Sequence, residues 1–356
     1  ADPHWVDRDR FVLSNGHASM LLYGVLHLTG YDVSIDDIKA FRQLHSPTAG
    51  HPEFGECPGI ETTTGPLGQG FANAVGMALA ERVLAETFNR DGFPVVDHRT
   101  WVIAGDGCLM EGVSHEAASR AGTLGLGKLI CIYDDNGISI DGDVKAWFTE
   151  DVPARFEAYG WRVLRDVDDG DAVARALADA AAQDERPTLI CARTVIGRGA
   201  PNKEGSADVH GAALGEDEVA AARQRLNWGS PPFEIPAHLK QQWDCRTAGA
   251  ARQQDWQALF DRYRAEHPEL AAEFERRMAG QLPADWSGPI DALARRAQDE
   301  MAPLETRKSS QQCLGALAET LPELFGGSAD LTGSNGTRWK GATDRQYLSF
   351  GVREFA

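Results

Sequence analysis

The chain has 356 residues, with 42% hydrophobic and 25% charged residues, the profile of a folded globular protein and not of a disordered or collagen-like one. Its 35 Lys and Arg stand against 53 Asp and Glu, a formal charge of −18. That balance excludes a general nucleic-acid binder, which needs a cationic surplus, but not a small phosphorylated ligand held by a few local cations or a metal. No apolar run approaches the roughly 18 residues needed to span a bilayer, so a soluble protein of about two domains is expected. The six cysteines are scattered without a CxxC pair, and Cys131 and Cys191 fall inside apolar runs. They read as core residues of a reduced, cytoplasmic protein.

Taken in chain order, Phe11–Leu13 is a short apolar strand that runs into Ser14-Asn15-Gly16-His17. Ser34 followed by Asp37, with apolar residues through Leu44, predicts a capped helix. A Gly/Pro loop carries His51, and Glu61–Gly70 is a long glycine-rich loop ahead of an Ala-rich helix over Phe71–Leu84. Trp101–Ala104 is the next strand, Glu111–Ala121 a helix, and Leu129–Tyr133 a third strand. Trp161–Leu164 and Thr188–Ala192 complete five strands, with a helix over Asp171–Ala182 between them. Strands apolar on both faces, alternating with helices, predict a doubly wound parallel α/β sheet.

The texture changes after residue 226. Asn227–Pro232 breaks any helix, and 238–280 is charged and helix-forming, with Trp256, Phe260, Tyr263 and Phe274 at helical spacing. It reads as a connector, with a partner-binding helix as the alternative. From about Met301 a second α/β pattern opens: a helix near Ser309–Leu321, a turn over Phe325–Asn335, and an apolar run at Tyr347–Val352. The expected organisation is a first domain over 1–226, a connector over 227–300, and the beginning of another domain over 301–356.

The chemistry concentrates at strand ends, where open α/β sheets bind ligands. Gly105-Asp106-Gly107 follows the second strand, and Asp134-Asp135-Asn136-Gly137-Ile138 closes the third. Asp106, Asn136 and the Ile138 carbonyl are hard oxygen donors suited to Mg²⁺, Ca²⁺ or Mn²⁺, with diphosphate oxygens and water completing the shell. Each motif alone is a common turn; both on successive strands are a pattern. The arrangement resembles the thiamine-diphosphate signature of a Gly-Asp-Gly followed by a strand-closing Asn. Three histidines beside glycines, His17, His51 and His210, accompany it.

With the Glu61–Gly70 loop, these motifs closely resemble the transketolase family over the whole chain, from Asp9–His17 to Phe350–Phe355. The resemblance implies a thiamine-diphosphate-binding fold followed by the opening of a pyrimidine-binding domain. It implies Asp106, Asn136 and Ile138 as metal ligands, Asn136 also facing the cofactor, and Gly107, His17 and His210 around the diphosphate. Gly65, Pro66 and Leu67 match the loop against the aminopyrimidine. His51 matches a histidine beside the reacting sugar carbons, His51 and His210 are expected to assist proton transfers with His210 also at the substrate, Arg307 and Ser334 match sugar-phosphate binders, and Glu354 matches the catalytic glutamate. Glu111 and Asp330 match residues of subunit contacts.

The implied activity is reversible transfer of a two-carbon ketol unit between sugar phosphates, in the pentose phosphate pathway or the Calvin cycle. Active sites of the family lie between the subunits of a homodimer. The alternatives are dihydroxyacetone synthase, 1-deoxyxylulose-5-phosphate synthase, and a thiamine-diphosphate-binding scaffold without turnover. Gly333 stands where the family usually has Pro, and Ala18 where Gly is frequent. A family segment with another substrate histidine has no counterpart here, nor does the rest of the pyrimidine domain. The chain therefore reads as a fragment, expected to be inactive by itself.

Overall fold

The structure is a computed structural model and describes residues 2–342. The apolar run Tyr347–Val352 and Glu354 lie outside the described residues. The chain divides into two compact units, the first running through Phe260 and the second beginning at Asp261.

The first unit is built on β1 (Arg10–Leu13), β2 (Thr100–Gly105), β3 (Leu129–Asp135), a small antiparallel pair β4 (Ile138–Ser139) and β5 (Gly142–Asp143), β6 (Arg162–Val167) and β7 (Thr188–Arg193). Five of these form one parallel sheet in the order β1-β2-β3-β7-β6. All five predicted strands are present. The chain steps from β1 across to the far edge at β6 and back to β7. Helices cover both faces of the sheet.

Residue alternation agrees with that placement. Ile103 and Ile132 are register partners on one face. Ile103 packs with Leu22, Tyr23 and Leu26 of the helix Ser19–Thr29, and Ile132 with Ala176 and Ala180 of the helix Gly170–Ala181. The alternate residues Val102, Ala104, Cys131 and Leu189 are fully buried and point the other way. The helix Gln69–Phe88 lies against β1, β2 and β3. Its Phe71 stacks on Trp161 at 5.9 Å, and Phe156 meets both rings edge-on.

One helix is shorter than its pattern predicts. Ser34 and Asp37 do form a reciprocal capping box, but the helix is only Ile35–Lys39. Arg42 adopts a left-handed backbone (φ +61°), and its N–H donates to the Thr48 carbonyl, turning the chain away. The apolar residues as far as Leu44 therefore belong to a loop, and Leu44 is exposed.

Beyond the sheet, the first unit includes the helix Ala237–Trp243 and the first part of Arg246–Glu266. Trp256 stacks on Phe260 at 5.0 Å and donates its indole N–H to the Val95 carbonyl. In the second unit the regular elements among the described residues are helices: Pro268–Met278, Gly288–Glu300, Thr306–Ala318 and a single turn at Thr332–Asn335. Tyr263, Ala271 and Phe274 are buried there. Arg276 joins Glu273 to Glu323, and the Thr320 hydroxyl donates to the Trp286 carbonyl. Four cysteines (57, 108, 131 and 191) are buried, whereas Cys245 is exposed and Cys313 partly so. Burial pushes the Cys57 thiol up to about 11 and the Cys191 thiol up to about 12.

Candidate functional site

Parallel strands end at one edge, so β1, β2, β3 and β7 deliver their following turns to the same side of the sheet. Asp106 is the first residue after β2 and is buried. The Tyr133 hydroxyl donates to its Oδ1 at 2.5 Å, and the Gly137 N–H to its Oδ2 at 3.0 Å. That second bond brings the Asn136–Ile138 turn onto Asp106, as the register of Gly105 opposite Asp134 requires. Asn136 Nδ2 donates to Asp134 Oδ2 at 3.1 Å, and its Oδ1 accepts from the Ile138 N–H at 2.9 Å. The Thr194 hydroxyl, just beyond β7, also donates to Asp134.

Burial raises the Asp106 carboxyl to about 6, against the opposing effect of the Tyr133 hydrogen bond, while Asp135 and Asp134 raise it further. A buried carboxylate near two others is a place where a cation relieves both desolvation and repulsion. Among the described residues no group of three or more His, Cys, Asp or Glu gathers as a ready metal site. The donors here are one carboxylate, one amide oxygen and one peptide carbonyl. This set fits a hard divalent cation that draws its remaining oxygens from a ligand and water.

The glycine-rich loop runs between this turn and the end of β1. Arg8 pairs with Glu61 at 2.6 Å and anchors its start. A Cβ at Gly16 would stand 2.7 Å from Thr64 Oγ1, and one at Gly70 2.7 Å from Ser14 Cα. Gly107 would meet Leu67 at 2.9 Å. Gly65 has φ +154° and faces the His51 ring, 3.4 Å from its ideal Cβ position. The loop is thus clasped by the β1 turn on one side and the Asp106 turn on the other, with backbone where side chains would otherwise intrude.

His17 and His210 stack at 4.6 Å with their planes 22° apart, joining the β1 turn to the Ser206–Gly211 segment. Burial lowers His17 to about 4, with His210, His51 and Arg42 contributing, and burial also lowers His210. Both rings are therefore neutral near pH 7. Three buried polar atoms around this edge, Asn15 Oδ1, Thr64 Oγ1 and His210 Nδ1, have no hydrogen-bond partner. Buried polar groups are nearly always satisfied, so three orphans beside a glycine-lined cradle fit a polar ligand such as a diphosphate.

The structure therefore brings together Asp106, Asn136, Ile138, Gly107 and Leu67 on one side, and His17, His51, His210 and Gly65 on the other. Pro66 is exposed in the same loop, and Glu111 is exposed beside Gly68. In the second unit the Arg307 guanidinium donates to the Ser334 carbonyl at 3.4 Å and to Glu305 at 2.8 Å. Those two expected phosphate binders are therefore neighbours. Asp330 is exposed with φ +61°, and Glu354 lies outside the described residues. Sequence reasoning does not single out Tyr133, Asn15 or Thr64. Asn15 and Thr64 stand inside the quoted motifs, but only the fold reveals them as orphans; Tyr133 reads as another apolar strand residue.

A doubly wound parallel sheet with a hard-oxygen turn, a glycine cradle and neutral histidines at one edge defines a thiamine-diphosphate-type cofactor domain. Residues 1–283 match the family model "Transketolase, thiamine diphosphate binding domain", and residues 302–356 match "Transketolase, pyrimidine binding domain". The chain belongs to the transketolase family. The chromosomal transketolase of Cupriavidus necator is 60% identical over 363 residues, covering 100% of this chain and 54% of the relative. Transketolase 1 of Vibrio vulnificus (strain YJ016) is 58% identical, covering 100% and 55%.

Among solved structures, a transketolase from Leishmania mexicana superposes with a TM-score of 0.87 at 44% identity, over 95% of this chain and 50% of that one. A Pichia stipitis transketolase in complex with sedoheptulose-7-phosphate gives 0.89 at 45%, over 97% and 51%. The chain spans about half the length of the curated relatives it matches. Among the described residues no helix is long and apolar enough to cross a membrane.

Proposed function

We propose that this chain carries the cofactor-diphosphate side of a transketolase centre, which moves a two-carbon ketol unit from a ketose phosphate to an aldose phosphate. The observation that carries this reading is the meeting of four sequence-distant turns at one sheet edge, with Gly137 bonded to Asp106 and His17 stacked on His210. The likeness to Pichia stipitis transketolases in complexes with xylulose-5-phosphate and sedoheptulose-7-phosphate supports sugar phosphates as substrates.

Asp106, Asn136 and the Ile138 carbonyl would hold the divalent metal, Mg²⁺ or else Ca²⁺ or Mn²⁺. Gly107, His17 and His210 would line the diphosphate, and Gly65, Pro66 and Leu67 the aminopyrimidine. When bound, thiamine diphosphate supplies the electron sink that allows a carbon–carbon bond next to a ketone to break. The chain's own residues position and exclude. Leu67 closes against Gly107, and the loop Thr62–Gly70 walls the cradle. His210 and His17, neutral near pH 7, can accept a proton from a sugar hydroxyl or donate a hydrogen bond to an oxygen, and His51 lies beside them at Gly65. Arg307 and Ser334 would take the sugar phosphate, and Glu354 would hold the pyrimidine nitrogen. The site completes at the interface of a homodimer, in a cytoplasmic enzyme of the pentose phosphate pathway or Calvin cycle.

The test uses a full-length protein that carries this chain, with thiamine diphosphate and Mg²⁺. Xylulose 5-phosphate and ribose 5-phosphate should yield sedoheptulose 7-phosphate by mass spectrometry, and Asp106→Ala should abolish it. Cofactor binding without any ketol transfer would overturn the reading in favour of a scaffold. Turnover of pyruvate, or of formaldehyde as acceptor in place of ribose 5-phosphate, would reassign it to the neighbouring thiamine enzymes.

A further inference from the structure

The amide of Asn136 has two ends of nearly equal size, an oxygen that accepts and an NH₂ that donates. A hard divalent cation takes the oxygen and gains nothing from the NH₂. Which end is offered therefore matters, and here both ends are specified. Asn136 Oδ1 accepts from the Ile138 N–H at 2.9 Å, and Asn136 Nδ2 donates to Asp134 Oδ2 at 3.1 Å. Turning the amide over would set its NH₂ against an N–H donor and its oxygen against a carboxylate, so both bonds would be lost. An amide oxygen has two acceptor sites, so the bond from Ile138 leaves one for a cation.

Of the two partners Asp134 selects more strongly, because a hydrogen bond to a carboxylate is about twice as strong as one between neutral groups. Its carboxylate is fixed in turn. On β3, Asp134 lies opposite Gly105 of β2 and Ala192 of β7, and its Oδ1 accepts from the Thr194 hydroxyl. Thr194 follows β7, and its N–H donates to the Asp135 carbonyl at 3.3 Å. With one oxygen held by Thr194, the carboxylate keeps the other on Asn136. Three neighbouring strands thus meet at one amide: β2 supplies Asp106, β3 supplies Asp134 and Asn136, and Thr194 comes from the end of β7.

We propose that Asp134, braced by Thr194, is a positioning residue that orients the Asn136 amide, so that its oxygen and not its NH₂ is offered to the divalent cation. This rests on the proposed role of Asp106, Asn136 and Ile138 as metal ligands and goes beyond it, since Asp134 acts on the cation only through Asn136. Partners that orient a metal ligand through a hydrogen bond are commonly worth about ten- to a hundredfold in metal affinity. A rival account is plain charge: a carboxylate close to Asp106 attracts a cation whichever way the amide points, and that attraction fades with ionic strength.

The experiment measures Mn²⁺ affinity by electron paramagnetic resonance of the free ion, with thiamine diphosphate present, in a full-length protein carrying this chain. Asp134→Ala should weaken Mn²⁺ about tenfold, whereas Asp134→Asn, which keeps an acceptor for Asn136 but no charge, should weaken it less than about threefold. The decisive background is Asn136→Asp, whose two oxygens make orientation irrelevant. There Asp134→Ala should change the affinity by less than about twofold, a coupling that a double-mutant cycle reads directly. Should Asp134→Ala fail to fold, Thr194→Val asks the same question from the other end of the network. It should weaken Mn²⁺ about threefold beside Asn136, be rescued by Thr194→Ser, and have no effect beside Asn136→Asp. Equal losses in both backgrounds overturn the proposal. So do equal losses for Asp134→Asn and Asp134→Ala that shrink as salt is raised, because charge alone would then account for them. A wild-type protein that binds no Mn²⁺ with thiamine diphosphate would instead fail the assignment of the metal ligands, and the proposal with it.

Discussion

At the scale of single residues, the contact that decides the behaviour of the site is the Tyr133 hydroxyl on Asp106. It fixes the carboxylate and opposes the rise in its pKa. Tyr133→Phe removes one hydroxyl from a ring that still packs, so the fold survives. Mg²⁺ affinity, measured by titration in the presence of thiamine diphosphate, should weaken about tenfold, as for other partners of ligating carboxylates. The pH dependence has a definite sign. Asp106 rises from 3.8 to about 6 on folding, so between those values the native state holds a proton that the unfolded chain has released. Its contribution to stability is present in acid and is lost as pH rises through that window. A bound cation cancels the loss. The increase in melting temperature caused by Mg²⁺ with thiamine diphosphate should therefore be larger near about pH 7.5 than near about pH 5; equal increases would show that Asp106 does not contact the metal.

The types and spacing of Asp106, Asn136 and the histidines were legible because charged or amide side chains at the ends of apolar strands have few structural reasons to be there. Tyr133 was not, since a strand-end tyrosine has the same signature whether its hydroxyl meets solvent or a buried carboxylate. Nor was Arg42. Its setting depends on a left-handed turn whose usual sequence mark, a glycine or asparagine, is absent.

Among the elements, the helix Gln69–Phe88 shows how fold and site are made together. Its N-cap is Gly68, which has no side chain to offer the first-turn amides. The missing acceptor comes from another element: Ser14, at the end of β1, receives the Phe71 N–H at 3.0 Å. A hydroxyl on the site's own strand thus caps the helix behind the glycine-rich loop. Ser14→Ala leaves that amide buried and unpaired and should cost about 1–2 kcal/mol in urea unfolding, with the slope unchanged. A tighter constraint holds at Gly122 in the helix Gly112–Leu124. A Cβ there would stand 1.8 Å from the Tyr159 carbonyl, so Gly122→Ala should destabilise by about 3 kcal/mol through forced displacement of the turn before β6. Element existence was readable from apolar periodicity, and the capping box at Ser34 from two residues. Where that helix ends was not readable, because Phe41 and Leu44 continue an apolar pattern that the Arg42 turn interrupts.

For the whole molecule, every described residue expected at the cofactor belongs to the first unit, and Arg307 and Ser334 to the second. Calorimetry of the 356-residue chain should accordingly show Mg²⁺ with thiamine diphosphate raising the transition of the first unit and leaving that of the second in place. A single transition that moves as one would contradict the division. The division falls at Phe260 and not at the change of texture after residue 226, and composition does not mark it because it lies inside one continuous helix, Arg246–Glu266.

The cysteines give this division an experimental handle. The buried thiols Cys57, Cys131 and Cys191 are held protonated by their surroundings, and Cys108 is enclosed with them. Alkylating reagents need an accessible thiolate. In the folded chain they are left with Cys245, which is exposed in the first unit, and Cys313, which is partly exposed in the second. A maleimide label would therefore report on each unit separately, one accessible thiol apiece, without any engineered substitution.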